Sequence, residues 1–213
     1  MCSRYRLVKE KIVITINGRE IEVTLQKRHN AAPQQTLPVL VPDVSGGVKA
    51  VPMKWGWKPA WSRQLLINAQ AETIQSKPAF KSFLTQRCLV PADGFYEWTT
   101  DKTPIMFTKA DGAPICFAGL WQEGEASPAG PAQRFLILTT RPNAAVAKVH
   151  NRMPLIVQPQ HYGWWLAGEN FPAVLDAPDT GALAATPVCR ELNNVKNEGA
   201  ELIQPAPVQA TWF

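Results

Sequence analysis

Apolar and polar side chains alternate most clearly over KIVITINGREIEVTL, residues 11–25. A period of two on both sides of Asn17-Gly18 predicts two half-buried strands joined by a tight turn, since Asn-Gly accepts the positive φ angles of hairpin turns. Apolar runs of strand length follow at LPVLV, VKAVPMKWGW, QLLIN, RCLVP, GFYEW, PIMFTK, PICFAGLW, RFLILTT and PLIVQ. Three stretches read as helices: AETIQSKPAFKSFL, broken at Pro78; PNAAVAKVH, opened by Pro142; and the short QHYGWWLAG. Many strands with few helices predict an α+β fold. The expected architecture is a single domain over residues 1–213, an antiparallel sheet curled into a barrel with a few peripheral helices. ASPAGPA predicts a surface loop. The proline-rich LIQPAPVQATWF predicts an extended C-terminal tail.

Composition narrows the class. At 213 residues the chain can bury one sizeable core, and 46% hydrophobic with 18% charged residues excludes a disordered chain. No run approaches the ~20 apolar residues of a membrane helix, and the start lacks the basic-then-apolar build of a signal peptide. A cytoplasmic protein with reduced thiols is therefore expected. The four cysteines form no C-x-x-C pair, so no metal is expected. Cys88, Cys116 and Cys189 lie in or beside apolar runs and read as core thiols. The net charge of +5 favours a polyanionic partner.

Candidate chemistry begins at MCSRY. Removal of Met1 would leave Cys2 with an amine and a thiol on adjacent carbons. An α-amine of pKa ~7.7–8.0 is partly neutral at physiological pH, and a neutral amine attacks an aldehyde to give a Schiff base. The neighbouring thiol can then close a five-membered thiazolidine. A retained Met1 would block both groups. The bland alternative is a cysteine in a frayed terminus.

Four further stretches carry polar groups in apolar settings. In LLINAQAETI, Asn68 ends an apolar run and could orient an amine, and Glu72 fits a helix first turn, where capping alone would explain it. In RCLVPADGFYEW, Glu97 stands among Phe95, Tyr96 and Trp98, where desolvation would raise its pKa towards acid/base duty. Strand alternation offers the rival reading of an outward-facing carboxylate. In VHNRMP, His150 closes a predicted helix and could shuttle a proton. KWGWKPAWSR interleaves Trp55, Trp57 and Trp61 with Lys54, Lys58 and Arg63, a pattern that suits stacked bases and held phosphates, or equally a strand core with solvated charge.

MCSRY, RHNAAP, WGWKPAW, INAQAET, LVPADGFYEW, FLILTT, VHNRMPLIV and NVKNEGAELIQP occur in this order and span nearly the whole chain. Together they resemble the SRAP family, the SOS response-associated peptidases. The resemblance implies a barrel-based α+β fold with a basic cleft for single-stranded DNA, acting as a monomer without a cofactor. It implies that Cys2, exposed by Met1 removal, shields abasic sites through a thiazolidine crosslink. By motif, Asn68 would position the amine, Glu97 would assist proton transfer and sugar ring opening, and His150 would assist Schiff-base formation and crosslink reversal. Thr139 would lie in the same pocket. Arg4, Asn30, Ala32 and Pro33 would contact DNA phosphate, and Trp61 would stack beside the lesion. Gln70 stands where the family pattern has a phosphate-contacting arginine, and Ser3 where it has glycine. The 11–25 hairpin has no counterpart in the family pattern. Two other functions stay open: a cysteine peptidase using Cys2 and His150, whose evident substrate is its own Met1-Cys2 bond, and a non-catalytic single-stranded-DNA-binding barrel. Strand cleavage by β-elimination from the Schiff base is a secondary expectation.

Overall fold

The computed structural model describes residues 2–16, 18–44, 46–60, 62–123, 133–169, 171–175 and 182–204. Its strands run in chain order as β1 (Arg4–Leu7), β2 (Lys11–Ile16), β3 (Arg19–Thr24), β4 (Arg28–Ala31), β5 (Thr36–Pro42), β6 (Val48–Trp55) and β7 (Asn68–Gln70). They continue as β8 (Arg87–Ala92), β9 (Gly94–Trp98), β10 (Pro104–Lys109), β11 (Ile115–Gln122), β12 (Arg134–Thr140), β13 (Met153–Pro154), β14 (Ile156–Val157) and β15 (Leu183–Pro187).

Five strands close a barrel. β5 pairs with β6 and β8, β8 with β11, β11 with β12, and β12 returns to β6. Only the closing β6–β12 pair among these is parallel. The interior is aromatic: Trp55 stacks on Phe135 at 6.1 Å, and Tyr5 packs on Trp55 and Phe117 at 5.4 and 5.8 Å. Such pairs add about 0.5–1.5 kcal/mol each beyond the area they bury. A second sheet, in the order β15-β10-β9-β1-β4, lies against the barrel, with Tyr5 and Phe95 reaching across to Phe117. Gly94 opens β9 because a Cβ there would lie 2.5 Å from the Phe107 carbonyl oxygen. A small second core of Tyr96, Met106, Val188, Leu192 and Leu202 covers the far face of this sheet.

The 11–25 stretch forms the β2–β3 hairpin, with Ile12, Ile14 and Ile16 buried and Val13 exposed. Asn17 lies outside the described residues, as do the ASPAGPA stretch and residues 205–213 of the tail. Cys88 and Cys116 are buried as expected, while Cys189 is partly exposed, its thiol 3.4 Å from the Leu202 carbonyl.

The helices differ from expectation. AETIQSKPAFKSFL forms two 3₁₀ segments, Ile74–Ser76 and Pro78–Phe83, since Pro78 cannot donate to a preceding turn. PNAAVAKVH yields only Val146–Lys148 as a 3₁₀ turn, so His150 follows a turn and does not close a helix. QHYGWWLAG does form a helix, α1 (Tyr162–Ala167), followed by α2 (Phe171–Leu175). QLLIN is mostly irregular: Leu66 makes an isolated bridge to Trp57, and the strand starts only at Asn68.

Candidate active site

β1 is an inner strand, paired on one side with β4 and on the other with β9. The register Arg4↔Tyr96 and Tyr5↔Phe95 carries the residues just before Arg4 towards Glu97 and Trp98. β7 runs parallel to β12, with Asn68 opposite Ile137 and Gln70 opposite Thr139. Cys2 is fully buried where these elements meet. The Asn68 Nδ2 donates to the Cys2 carbonyl oxygen at 2.8 Å. The Asn68 Oδ1 is buried and accepts no hydrogen bond among the described residues.

Glu97 is 2% exposed, and burial pushes its pKa up to about 7 against the lowering effect of the chain's amino-terminal charge. Glu97 does not face outward as strand alternation allowed, because both faces of β9 are covered and no position on Gly94–Glu97 looks out to solvent. The Cys2 thiol is pushed well above its ordinary value, first by burial and then by the Glu97 carboxylate. His150 is held below its ordinary value by burial and by the amino-terminal charge. The Glu97 carboxylate acts on the Cys2 thiol, so these two sequence candidates lie within electrostatic reach of each other.

Arg152, two residues beyond His150, links His150 to Glu72 and Thr139, although sequence reasoning gave it no role. Its guanidinium grips Glu72 through both oxygens at 2.9 and 2.8 Å and donates to the Thr139 carbonyl at 2.6 Å. Its backbone N–H donates to His150 Nδ1 at 3.0 Å. Its position inside VHNRMP was the signal that could have marked it. Glu72 caps no helix: it pairs with Arg152 and accepts from Thr140 Oγ1. Burial raises the Glu72 carboxyl, but the bonds from Arg152 outweigh it and hold the net value below the usual carboxylate range.

The residues expected to touch DNA separate into two groups. Arg4 is 7% exposed and donates to Asn30 Oδ1 at 2.7 Å and to the carbonyls of Leu192 and Asn193 at 2.9 and 3.2 Å. Asn30 is fully buried, its amide donating to the carbonyls of Asn194 and Asn197 at 3.1 and 3.0 Å. Both therefore fasten the 192–197 segment over β1 and β4 and do not face solvent, because a buried guanidinium or amide needs protein acceptors. Ala32 is buried, Pro33 half-buried and Gln70 exposed. Thr139 is buried with Oγ1 3.4 Å from the Ala69 carbonyl. Trp61 and Met1 lie outside the described residues. Among the described residues no cluster of His, Cys, Asp or Glu could hold a metal, and no helix is long and apolar enough to cross a membrane.

The chain matches known proteins along most of its length. Abasic site processing protein YoqW of Bacillus subtilis is 30% identical over 223 residues, spanning 96% of this chain and 99% of that protein. Abasic site processing protein YoaM of the same organism is 33% identical over 193 residues, spanning 84% and 85%. A solved structure from Bordetella bronchiseptica superposes with a TM-score of 0.72 at 22% identity, covering 88% of this chain and all of that one, so the fold is shared. The family model described as SOS response associated peptidase (SRAP) matches residues 1–195. With the barrel, the inner β1 strand and the buried Cys2 in view, this chain belongs to the SRAP family.

Proposed function

We propose that this protein processes abasic sites in single-stranded DNA by covalent capture through Cys2 once Met1 has been removed. The observation that carries the reading is the clamp on Cys2: the Asn68 amide holds its carbonyl, while the amide oxygen is buried and ready to accept from the new α-amine. The relatives' names, abasic site processing protein, supply the substrate class.

The chemistry balances without a cofactor. The neutral amine of Cys2 adds to the C1′ aldehyde of the ring-opened sugar and one water leaves, giving an imine. The thiol then adds across C=N: a C–S bond forms and the thiol proton passes to nitrogen, closing the thiazolidine. Glu97, titrating near 7, can donate to the sugar ring oxygen as it opens and take a proton back near neutrality. His150, neutral at physiological pH and anchored at Nδ1 by the Arg152 backbone, relays protons through Nε2 during imine formation and reversal. Thr139 shapes the pocket wall. Gln70, Pro33 and Trp61 meet the strand beside the lesion. Arg4, Asn30 and Ala32 support that surface from beneath. The protein works as a cytoplasmic monomer, at the nucleoid when bound to DNA. The imine also opens the way to strand cleavage by β-elimination.

The same burial weighs against a peptidase, because a thiol pushed above its ordinary value holds little thiolate at neutral pH, and the thiolate is the nucleophile. Intact mass after mixing Met1-free protein with single-stranded DNA bearing one abasic site tests the reading. The expected adduct has the summed mass less one water, and Cys2→Ala forms none. An adduct that survives Cys2→Ala sinks the proposal. Salt-sensitive binding with no adduct in the trimmed wild-type protein identifies a non-catalytic DNA-binding barrel instead.

A further inference from the structure

The barrel wall is incomplete where it closes. β6 meets β12 only at its last two residues, Lys54 and Trp55, and among the described residues no strand pairs with that edge of residues 48–53. Pro52, with no N–H to give a ladder, suits such an edge. A hollow of about 480 Å³ opens there, lined by the apolar side chains of Val41, Val51, Met53, Trp121 and Leu166 and by one buried cation, Arg87 at the start of β8. Gln133, which also lines it, precedes Thr139 by six residues, about 20 Å of extended chain. The hollow therefore lies at the other end of β12 from the contact between Thr139 and Arg152.

Arg87 is 7% exposed, yet no carboxylate pairs with it among the described residues. Arginines this deeply buried normally have an anionic partner, because an unpaired charge is costly away from water. The Arg87 Nε donates to the Leu84 carbonyl and its Nη1 to the Glu169 carbonyl, both at 3.2 Å. Its Cζ lies 4.7 Å from the Trp165 ring centroid and 5.3 Å from that of Phe171. These contacts fix the group in place and leave its charge unneutralised, and burial lowers its pKa. The Nη2 donates to no acceptor among the described residues. The other charges of the lining do not serve it. The Glu123 carboxylate is bound by Gln133 Nε2 at 3.1 and 3.0 Å, and Lys49 is a second cation, 4.0 Å from Asp43.

We propose that this hollow binds a small organic carboxylate with an apolar body, at a site separate from the Cys2 cluster and independent of the abasic-DNA reading. The aliphatic and indole walls take the body, and Arg87 takes the carboxylate. With Nε and Nη1 committed to carbonyls, one arm of the guanidinium is open. A single arm suits a singly charged group and not a phosphate, which calls for several donors. The volume of about 480 Å³ is that of a small-molecule site, and the mix of apolar walls with one placed charge is the usual lining of such sites.

The test is calorimetric titration of the whole protein with naphthoate, with neutral naphthamide and with inorganic phosphate. Naphthoate should bind with a Kd of about 0.1–1 mM, about tenfold tighter than naphthamide, and phosphate should give no heat. Arg87→Met should bring naphthoate down to the affinity of naphthamide and leave naphthamide where it was, which separates loss of charge from loss of fold. If Arg87→Met does not fold, Val51→Trp decides. It fills the hollow from a half-exposed position and should abolish binding of both aromatic probes while still melting cooperatively. Equal affinities for naphthoate and naphthamide in the wild type, no heat from naphthoate up to about 10 mM, or binding that survives Val51→Trp would overturn the proposal. Phosphate binding as tightly as naphthoate would overturn it too, as would displacement of naphthoate by a lesion-free strand of about twenty nucleotides, which would make the hollow part of the DNA path.

Discussion

The β2–β3 hairpin and the Cys2 cluster are opposite ways of building with the same chain. The hairpin is made of neighbours: fifteen consecutive residues, one aliphatic face of Ile12, Ile14, Ile16 and Val23 turned in, and one mostly polar face of Lys11, Thr15, Glu20, Glu22 and Thr24 turned out. The cluster is made of strangers: Cys2, Asn68, Glu97 and His150 come from four distant segments, with Cys2 and Glu97 buried and Asn68 and His150 half-buried, and the Glu97 carboxylate would be better hydrated in water. The hairpin is arranged for stability and the cluster against it. Buried ionisable groups of perturbed pKa mark functional sites for that reason.

Each contrast can be tested. The largest effect should come from Glu97→Gln, which keeps the shape and removes the titration. Crosslinking on abasic single-stranded DNA should slow by about 100-fold or more. The same change should stabilise the protein. A carboxyl near 4.3 when unfolded and about 7 when folded keeps a proton in the native state that the unfolded state has already released. Stability therefore falls as pH rises between those values and stays reduced above them. Glu97→Gln should melt about 5 °C above wild type at pH 8 and level with it at pH 4. Equal melting temperatures at pH 8 would show that Glu97 carries no burial cost. Next in size, Ile14→Ala should cost about 2–4 kcal/mol by opening a cavity under the hairpin, seen in denaturant melts, while the crosslinking rate per folded molecule stays the same. A slowed reaction would mean that the hairpin and the cluster are not separable. The smallest change is Gln70→Arg at an exposed position opposite Thr139. It should tighten DNA binding several-fold and steepen the salt slope by about 0.7; an unchanged slope would place position 70 away from any phosphate.

What could be read in the sequence follows the same division. The hairpin, the barrel strands and the α+β class were legible because period-two alternation and strand-length apolar runs are local. The 3₁₀ turns were not, since apolar spacing cannot tell a helix from a short turn when Pro78 interrupts it. The parallel pairings of β12 with β6 and β7 were invisible, as they join segments that no local pattern connects. Cys2, Asn68, Glu97 and His150 were found as residue types in suggestive settings, and family resemblance supplied their grouping. Arg4 and Asn30 show the limit: a basic and a polar residue read as solvent-facing, but the 192–197 segment folds over them. Nothing in residues 1–33 announces a cover contributed from more than 150 positions away.

The inner position of β1 also sets a clock. Cys2 has no solvent exposure in the folded chain, and β1 lies between β4 and β9. During synthesis at about 5–20 residues per second, β9 follows Cys2 by roughly 5–20 s. Through that interval the four residues of β1 have no partner strand on the β9 side. The capture chemistry proposed here needs Met1 gone, and this interval is a window in which the start of the chain is single and open to an aminopeptidase.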